Sequence, residues 1–287
     1  MGIITAMTTT SRRTVLTALA TATVAGPLLG GLGAGAAHAT SANDLYSSNT
    51  DLYTKLAGKE GTDFARRYKR HEQVDSDQKT AVAYGRTAIL ALHGGGIEGG
   101  TSELCLGIAG YDPATLAAKG GPAYDYWMFE AIRSSNNSEL HVTSRNCDDK
   151  VALSVAAANL NVVSLHGCTA AQAGAPVSRP EAVVVGGLNN TFKTYLHDAL
   201  RAAGFQTIDG STEPDLAGVE PTNICNRTLL AKGVQLEITT ELRKSMFAVN
   251  TIAGRATSTT AVYDTFVAAV RTAIARLEAS GGEQIIL

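Results

Sequence analysis

Five short runs of apolar, often β-branched residues punctuate the chain, at 87–92, 140–144, 161–166, 182–186 and 233–239. Each has the length of a strand, and near-continuous apolar stretches such as Ala182-Val183-Val184-Val185 suit a sheet covered on both faces. Helical patterns fall between and after them, at 102–110, 149–159, 190–203, 241–247 and 260–278. Thr101 or Ser102 is expected to cap the first of these, Asp148 or Asp149 to open the second, and Gly204 to end the third. Strands alternating with helices predict an α/β fold, a mixed and mostly parallel sheet between helical layers. Ahead of the first run, residues 40–85 are polar and rich in charge. Their most basic part, Ala65-Arg66-Arg67-Tyr68-Lys69-Arg70-His71-Glu72, reads as a solvated surface segment.

Residues 1–39 follow a different pattern. They contain no acidic residue, carry Arg12-Arg13 ahead of Val15-Leu16, continue as an Ala/Leu/Val/Gly-rich run and close on Ala37-His38-Ala39. A charged n-region, an apolar h-region and an A-x-A site predict a signal peptide, and the paired arginines point to the twin-arginine route. Pro27 and the many glycines break the apolar run, which argues against a retained membrane anchor. The expected product is therefore secreted, with residues 40–287 forming a single large α/β domain that has no membrane attachment after cleavage.

Charge narrows the partners. The formal charge of the whole chain is −2, and removing Arg12 and Arg13 with the leader moves it to about −4. No global basic field remains for nucleic acid, so an anionic substrate would have to be met by a few local arginines. The four cysteines, Cys105, Cys147, Cys168 and Cys225, show no C-x-x-C spacing. In an oxidising compartment they are expected to form two disulfides out of three possible connectivities. The preferred pairs are Cys168–Cys225 and Cys105–Cys147, because Cys168 stands two residues after His166 and Cys225 two before Arg227.

The candidate chemistry gathers around His93-Gly94-Gly95-Gly96-Ile97-Glu98. An apolar strand stops at His93, and the glycines give the following backbone unusual freedom. Glu98 follows five residues on, so an imidazole and a carboxylate meet at a strand end, where open α/β sheets carry their sites. The six histidines sort by elimination. His38 leaves with the leader, His71 lies in the charged run, and His197 sits on a helix. His93 and His166 share one pattern, an apolar strand followed by His and Gly, while His141 falls inside its expected strand as a packing residue or an outer partner of the ligands. His93, Glu98 and His166 thus form a candidate His₂Glu set for Zn²⁺, which leaves an open position for water. Glu237, inside the otherwise apolar run Val234-Gln235-Leu236-Glu237-Ile238, is the candidate general base, unless alternation turns it to solvent on an edge strand. Arg227 is the first candidate for holding a substrate carboxylate, with Arg145 and Arg243 behind it.

Taken together, six segments carry a resemblance. They are His93-Gly-Gly-Gly-Ile-Glu98-x-Gly-Thr-Ser-Glu103, Leu140-His-Val-Thr-Ser144, Ser164-Leu-His166-Gly, Val185-Gly-Gly-Leu-Asn189, Asn223-Ile-Cys-Asn-Arg227 and Gly233-Val-Gln-Leu-Glu237-Ile. Their order over about residues 60–250 resembles the phage-derived poly-γ-glutamate hydrolase family. The resemblance implies a three-layer fold similar to zinc carboxypeptidases and cleavage of γ-glutamyl amide bonds in an anionic polymer or oligomer. It also implies zinc held by His93, Glu98 and His166, with Glu237 as the catalytic carboxylate. The chain departs from the family pattern at Arg145-Asn146-Cys147-Asp148-Asp149-Lys150, where the phage type has Thr-His-Phe-Asp-Glu-Pro. Two alternatives stay open on the residues alone: an amidohydrolase that frees N-acyl groups from glutamate-like or cell-wall-derived amino acids, and a non-catalytic binder of anionic polymer.

Overall fold

The computed structural model describes residues 44–71 and 84–280, so the expected leader lies outside the described residues. Its strands are β1 (Phe64–Lys69), β2 (Tyr84–Gly95), β3 (Ala123–Ala131), β4 (Asn161–Cys168), β5 (Ala182–Gly186), β6 (Gln206–Asp209) and β7 (Val234–Thr239). Its α-helices are α1 (Asn49–Lys55), α2 (Thr101–Ala109), α3 (Lys150–Ala157), α4 (Asn190–Ala202), α5 (Thr240–Ser245) and α6 (Ala261–Ala279). The strands form one sheet in the order β1-β3-β2-β4-β7-β5-β6. The pairs β2–β3, β2–β4, β4–β7 and β5–β6 are parallel, whereas β1–β3 and β5–β7 are antiparallel.

Alternation along each strand builds two cores. Ile89 and Ala91 of β2, Val163 and Leu165 of β4, and Val234, Leu236 and Ile238 of β7 pack under α2, α4 and α6. On α6, Tyr263, Phe266, Val270, Ile274 and Leu277 recur at helical spacing and are buried. Each such side chain contributes roughly 1.5–3 kcal/mol of burial. The opposite face packs Ala88, Leu90 and Leu92 of β2 with Trp127 and Phe129 of β3 against Leu52 of α1 and Val155 and Ala156 of α3. Along β4 and β7 this second face turns polar: Ser164, His166, Gln235 and Glu237 are all buried there. A cavity opens over that polar patch.

Several expectations change. The basic run is not a solvated segment but the edge strand β1, antiparallel to β3. Its arginines are spent on ion pairs, Arg66 with Glu60 (2.7 Å) and Asp149 (3.1 Å), and Arg67 with Glu130 (2.6 Å). Charge on an edge strand also discourages pairing with another chain. The run 140–144 is not a strand. Residues 141–143 are irregular between two 3₁₀ turns, Asn137–Leu140 and Ser144–Asn146. Side chains take the hydrogen bonds a ladder would use, since the Thr143 N–H donates to Asp44 Oδ2 and the Val142 carbonyl accepts from His93 Nε2. Neither Thr101 nor Ser102 caps α2. Gly100, at φ +106°, precedes it, and Ser102 Oγ accepts from the Gly95 N–H. Asp149 does open α3, accepting from the N–H groups of Val151 and Ala152.

The expected disulfides are absent among the described residues: Cys105, Cys147, Cys168 and Cys225 are all buried and free. Cys105, on α2, lies in the core on one face of the sheet, while Cys147 and Cys225 lie in the core on the other, so the sheet separates the pair Cys105–Cys147. Cys168 packs in a third cluster with Ala173, Val184 and Leu216, apart from Cys225. Closeness to site residues along the chain does not bring sulfurs into bonding geometry. Among the described residues, no helix is long and apolar enough to cross a membrane.

Candidate metal centre

Three neighbouring strands deliver the chemistry. His93 stands near the end of β2, His166 near the end of β4, and Glu237 pairs directly with His166 in the β4–β7 register. A register irregularity between Ala91 and Gly94 brackets His93, the kind of bulge that re-aims a side chain at a sheet's rim. The glycines of the two His-Gly pairs have distinct reasons. A Cβ on Gly94 would lie 2.2 Å from Ser102 Oγ and 2.7 Å from the Phe129 carbonyl, and one on Gly167 would lie 2.5 Å from Arg243 Cζ. Glu98 rides on the loop after β2, which two buried guanidiniums hold. Arg255 donates to the Gly95 carbonyl (2.6 Å) and to Glu103 (3.2 Å), and Arg243 donates to the Gly99 carbonyl (2.9 Å). The Glu98 N–H closes the turn on the His93 carbonyl at 2.9 Å.

The hydrogen-bond pattern fixes which ring atoms face inward. The Val142 carbonyl can only accept, so His93 Nε2 carries a hydrogen, and His93 Nδ1 turns to Glu98 Oε1 at 2.9 Å and His166 Nδ1 at 3.1 Å. His166 Nε2 is engaged by Ser164 Oγ (2.9 Å) and Ser144 Oγ (3.2 Å), and its Nδ1 lies 3.9 Å from Glu98 Oε2. His141 gives Nδ1–H to Asp44 Oδ1 at 2.6 Å, and its ring lies 3.9 Å from that of His93. His93, Glu98 and His141 offer donor atoms within 4.8 Å of one another. Nitrogen lone pairs and a carboxylate thus converge in a buried place, and Glu98 Oε2 has no hydrogen-bond partner. Such acceptors repel unless a proton or a cation sits among them. The donor set fits a divalent transition metal, with outer acceptors orienting each imidazole.

Electrostatics follow from this crowding. Burial pushes the His166 imidazole down to about 3, and the neighbouring His93 pushes the same way. Burial also works against protonating His93, but Glu98 and the Val142 carbonyl outweigh it, so its pKa is raised. Burial would raise Glu98, yet His93, His166 and His141 hold it well below the usual carboxylate range. Glu237 moves oppositely: burial first, then the charge of Glu98, raises it. On the interior strand β7, Glu237 is buried rather than turned to solvent on an edge. It accepts from Gln235 Nε2 at 2.8 Å, and Gln235 Oε1 in turn accepts from Asn223 Nδ2 at 2.8 Å.

The cavity over these groups measures about 670 Å³, and its wall includes His93, Glu98, His141, Arg145, His166 and Glu237. Of the three candidate arginines, only Arg145 stands on that wall. Arg227 is exposed outside it. Arg243 is buried beneath the centre, donating to the carbonyls of Ile238 and Gly99 and to Thr240 Oγ1. A family model described as poly-gamma-glutamate hydrolase matches residues 62–269. The chain belongs to that family. It is 33% identical over 168 residues to the UPF0714 protein YndL of Bacillus subtilis, covering 58% of this chain and 59% of the relative. The SPbeta prophage-derived UPF0714 protein YoqZ of the same organism is 35% identical over 183 residues, covering 64% and 60%. The chain thus spans about 60% of the length of the curated relatives it matches. Among solved structures, a bacteriophage poly-gamma-glutamate hydrolase superposes with TM-score 0.65 at 26% identity, covering 82% of this chain and 98% of that one. A zinc-free apo form of YndL superposes with TM-score 0.64 at 27% identity, covering 79% and 95%.

Two residues of this poly-gamma-glutamate hydrolase family member take places that local sequence pattern does not signal. Alternation puts His141 inside a strand, whereas it lies against His93. Asp44 belongs to a polar stretch with no periodicity and precedes the residues matched to the family. Nothing in its local sequence signals a carboxylate beneath an imidazole nearly a hundred residues away.

Proposed function

We propose that this chain is a zinc-dependent hydrolase that opens γ-glutamyl amide bonds in poly-γ-glutamate or a related γ-linked substrate. The observation that carries the reading is the convergence of His93, His166 and Glu98 beside a second buried carboxylate, Glu237, in a member of this family. In this reading His93, Glu98 and His166 hold the zinc. Bound there, zinc supplies a Lewis acid that polarises the scissile carbonyl and acidifies a water. Glu237 takes the proton of the attacking water and returns it to the departing nitrogen. A carboxyl group whose pKa is raised suits a group that must both accept and release a proton. Gln235 fixes the carboxylate's orientation through one oxygen and leaves the other for the water. Arg145, which stands on the cavity wall, receives a substrate carboxylate with its planar fork, whereas Arg227 lies off that wall and Arg243 lies beneath the centre.

Export through the twin-arginine route is part of the proposal. It is supported by the acid-free leader with Arg12-Arg13 and Ala37-His38-Ala39. One observation favours a second substrate class. Besides Glu139, whose charge Arg133 offsets, the cavity wall carries Asp215 and Glu220 against the single arginine Arg145, and that balance suits a γ-glutamyl amide whose amine side bears a positive charge, such as a cell-wall-derived diamino acid. Incubation with poly-γ-glutamate and with a γ-glutamyl-diamino acid peptide, followed by product sizing, tests both. Activity should vanish on chelation and return with zinc. No hydrolysis of either substrate by zinc-loaded protein would refute the proposal.

A further inference from the structure

The segment 141–144, irregular up to the 3₁₀ turn that opens at Ser144, touches both histidines of the centre. The His141 ring lies against that of His93, the Val142 carbonyl accepts from His93 Nε2, and Ser144 Oγ reaches His166 Nε2. Lacking a strand partner, this segment needs something else to hold it. Asp44 supplies it with both carboxylate oxygens, Oδ1 to His141 Nδ1 at 2.6 Å and Oδ2 to the Thr143 N–H at 2.7 Å. The Asp44 side chain is only 5% exposed, so this carboxylate has been taken out of water for these two bonds. It also comes from the chain ahead of α1, outside the residues matched to the family.

We infer that Asp44 is a positioning residue of the metal centre, acting through residues 141–144 to hold the imidazoles of His93 and His166 in the orientation that presents their Nδ1 atoms to a metal. The inference rests on the proposed zinc reading. Outer acceptors that orient ligating imidazoles change metal affinity by roughly ten- to a hundredfold when removed. Neither charge reversal nor a new ligand is involved: the carboxylate fixes a loop, and the loop fixes two rings.

The test is a competitive titration of zinc against a chromophoric chelator, using the full chain, with thermal melting of the chelated proteins in parallel. Asp44→Asn keeps the shape and loses one of the two acceptor bonds, and it should weaken the zinc Kd roughly tenfold or more. Thr143→Pro cuts the same link from the other side. The Thr143 φ of −55° already suits proline, so this variant serves even if Asp44→Asn folds poorly. Asp51→Asn removes a carboxylate from the same N-terminal stretch that pairs only with its neighbours, and its zinc Kd should stay within about twofold of wild type. Wild type that binds zinc while Asp44→Asn and Thr143→Pro bind it equally well overturns this inference alone, whatever their melting temperatures. Wild type that takes up no zinc overturns the metal reading, and this inference with it.

Discussion

Glu237→Gln separates the base from the metal and can be followed in two independent measurements. The residue is 7% exposed, held between β4 and β5, and its carboxylate accepts from Gln235 Nε2 at 2.8 Å. Glutamine keeps the volume and an acceptor oxygen, so Gln235 stays paired while the proton acceptor is lost. Turnover should fall roughly a hundredfold or more, about 2.7 kcal/mol of barrier, with zinc content unchanged. Stability gives the second readout. Burial and the charge of Glu98 raise the Glu237 pKa in the folded protein above the ordinary carboxylate value it has in an unfolded chain. Below that ordinary value the group is protonated in both states and costs nothing. As pH rises through it, the unfolded chain ionises while the folded chain keeps its proton, so the metal-free wild type loses stability until the folded pKa is reached. The loss amounts to about 1.4 kcal/mol for every pH unit that separates the folded from the unfolded pKa. Metal-free Glu237→Gln should therefore melt higher than wild type at pH 8, with the gain shrinking towards pH 4. Near wild-type turnover, or loss of zinc in the variant, would refute the role of Glu237. A melting difference that does not change with pH would refute the electrostatic account.

His166→Ala should reduce zinc from one equivalent to nearly none, because it deletes a nitrogen 3.1 Å from His93 Nδ1; unchanged metal content would remove His166 from the ligand set. Arg145→Lys keeps the charge but loses the fork, so KM should rise on carboxylate-bearing γ-glutamyl substrates and change little on a neutral γ-amide. Arg227→Lys, at an exposed position off the cavity wall, should leave both unchanged, and a selective loss there would reverse the assignment. Thiol titration should find the native protein unreactive and the denatured protein with four reactive thiols, since burial pushes even Cys147 up to about 12. Fewer thiols after denaturation would mean that a bridge forms.

Apolar runs make β2, β4, β5 and β7 legible, and with them the ends where His93, His166 and Glu237 meet. Local pattern fails in places where partners decide structure. Arg66 and Arg67 look solvated in sequence, but Glu130, Glu60 and Asp149 neutralise them on an edge strand. The aromatic stretch Tyr124-Asp125-Tyr126-Trp127-Met128-Phe129 of β3 carries a usable β signal, although it is not among the five expected strands. Leu140-His141-Val142-Thr143-Ser144 alternates like a strand, yet its backbone bonds to Asp44 and His93 instead, which hides the contact of His141 with His93 from any pattern-based reading. Arg243 looks like a substrate clamp because sequence shows a charge but not the carbonyls of Ile238 and Gly99 that consume it.

The place of β7 in the sheet also bears on the order in which the protein is made. Among the described strands it is the last to be synthesised, yet it lies between β4 and β5, so β5 and β6 join the rest only through it. Arg243 and Arg255, which hold the loop bearing Glu98, follow later still. A nascent or truncated chain that stops before Val234 therefore contains His93, Glu98 and His166 without the carboxylate beside them or the guanidiniums that fix the loop. On the proposed reading, such a fragment could not turn over substrate, and hydrolytic competence would arrive only with the closing stretch of translation.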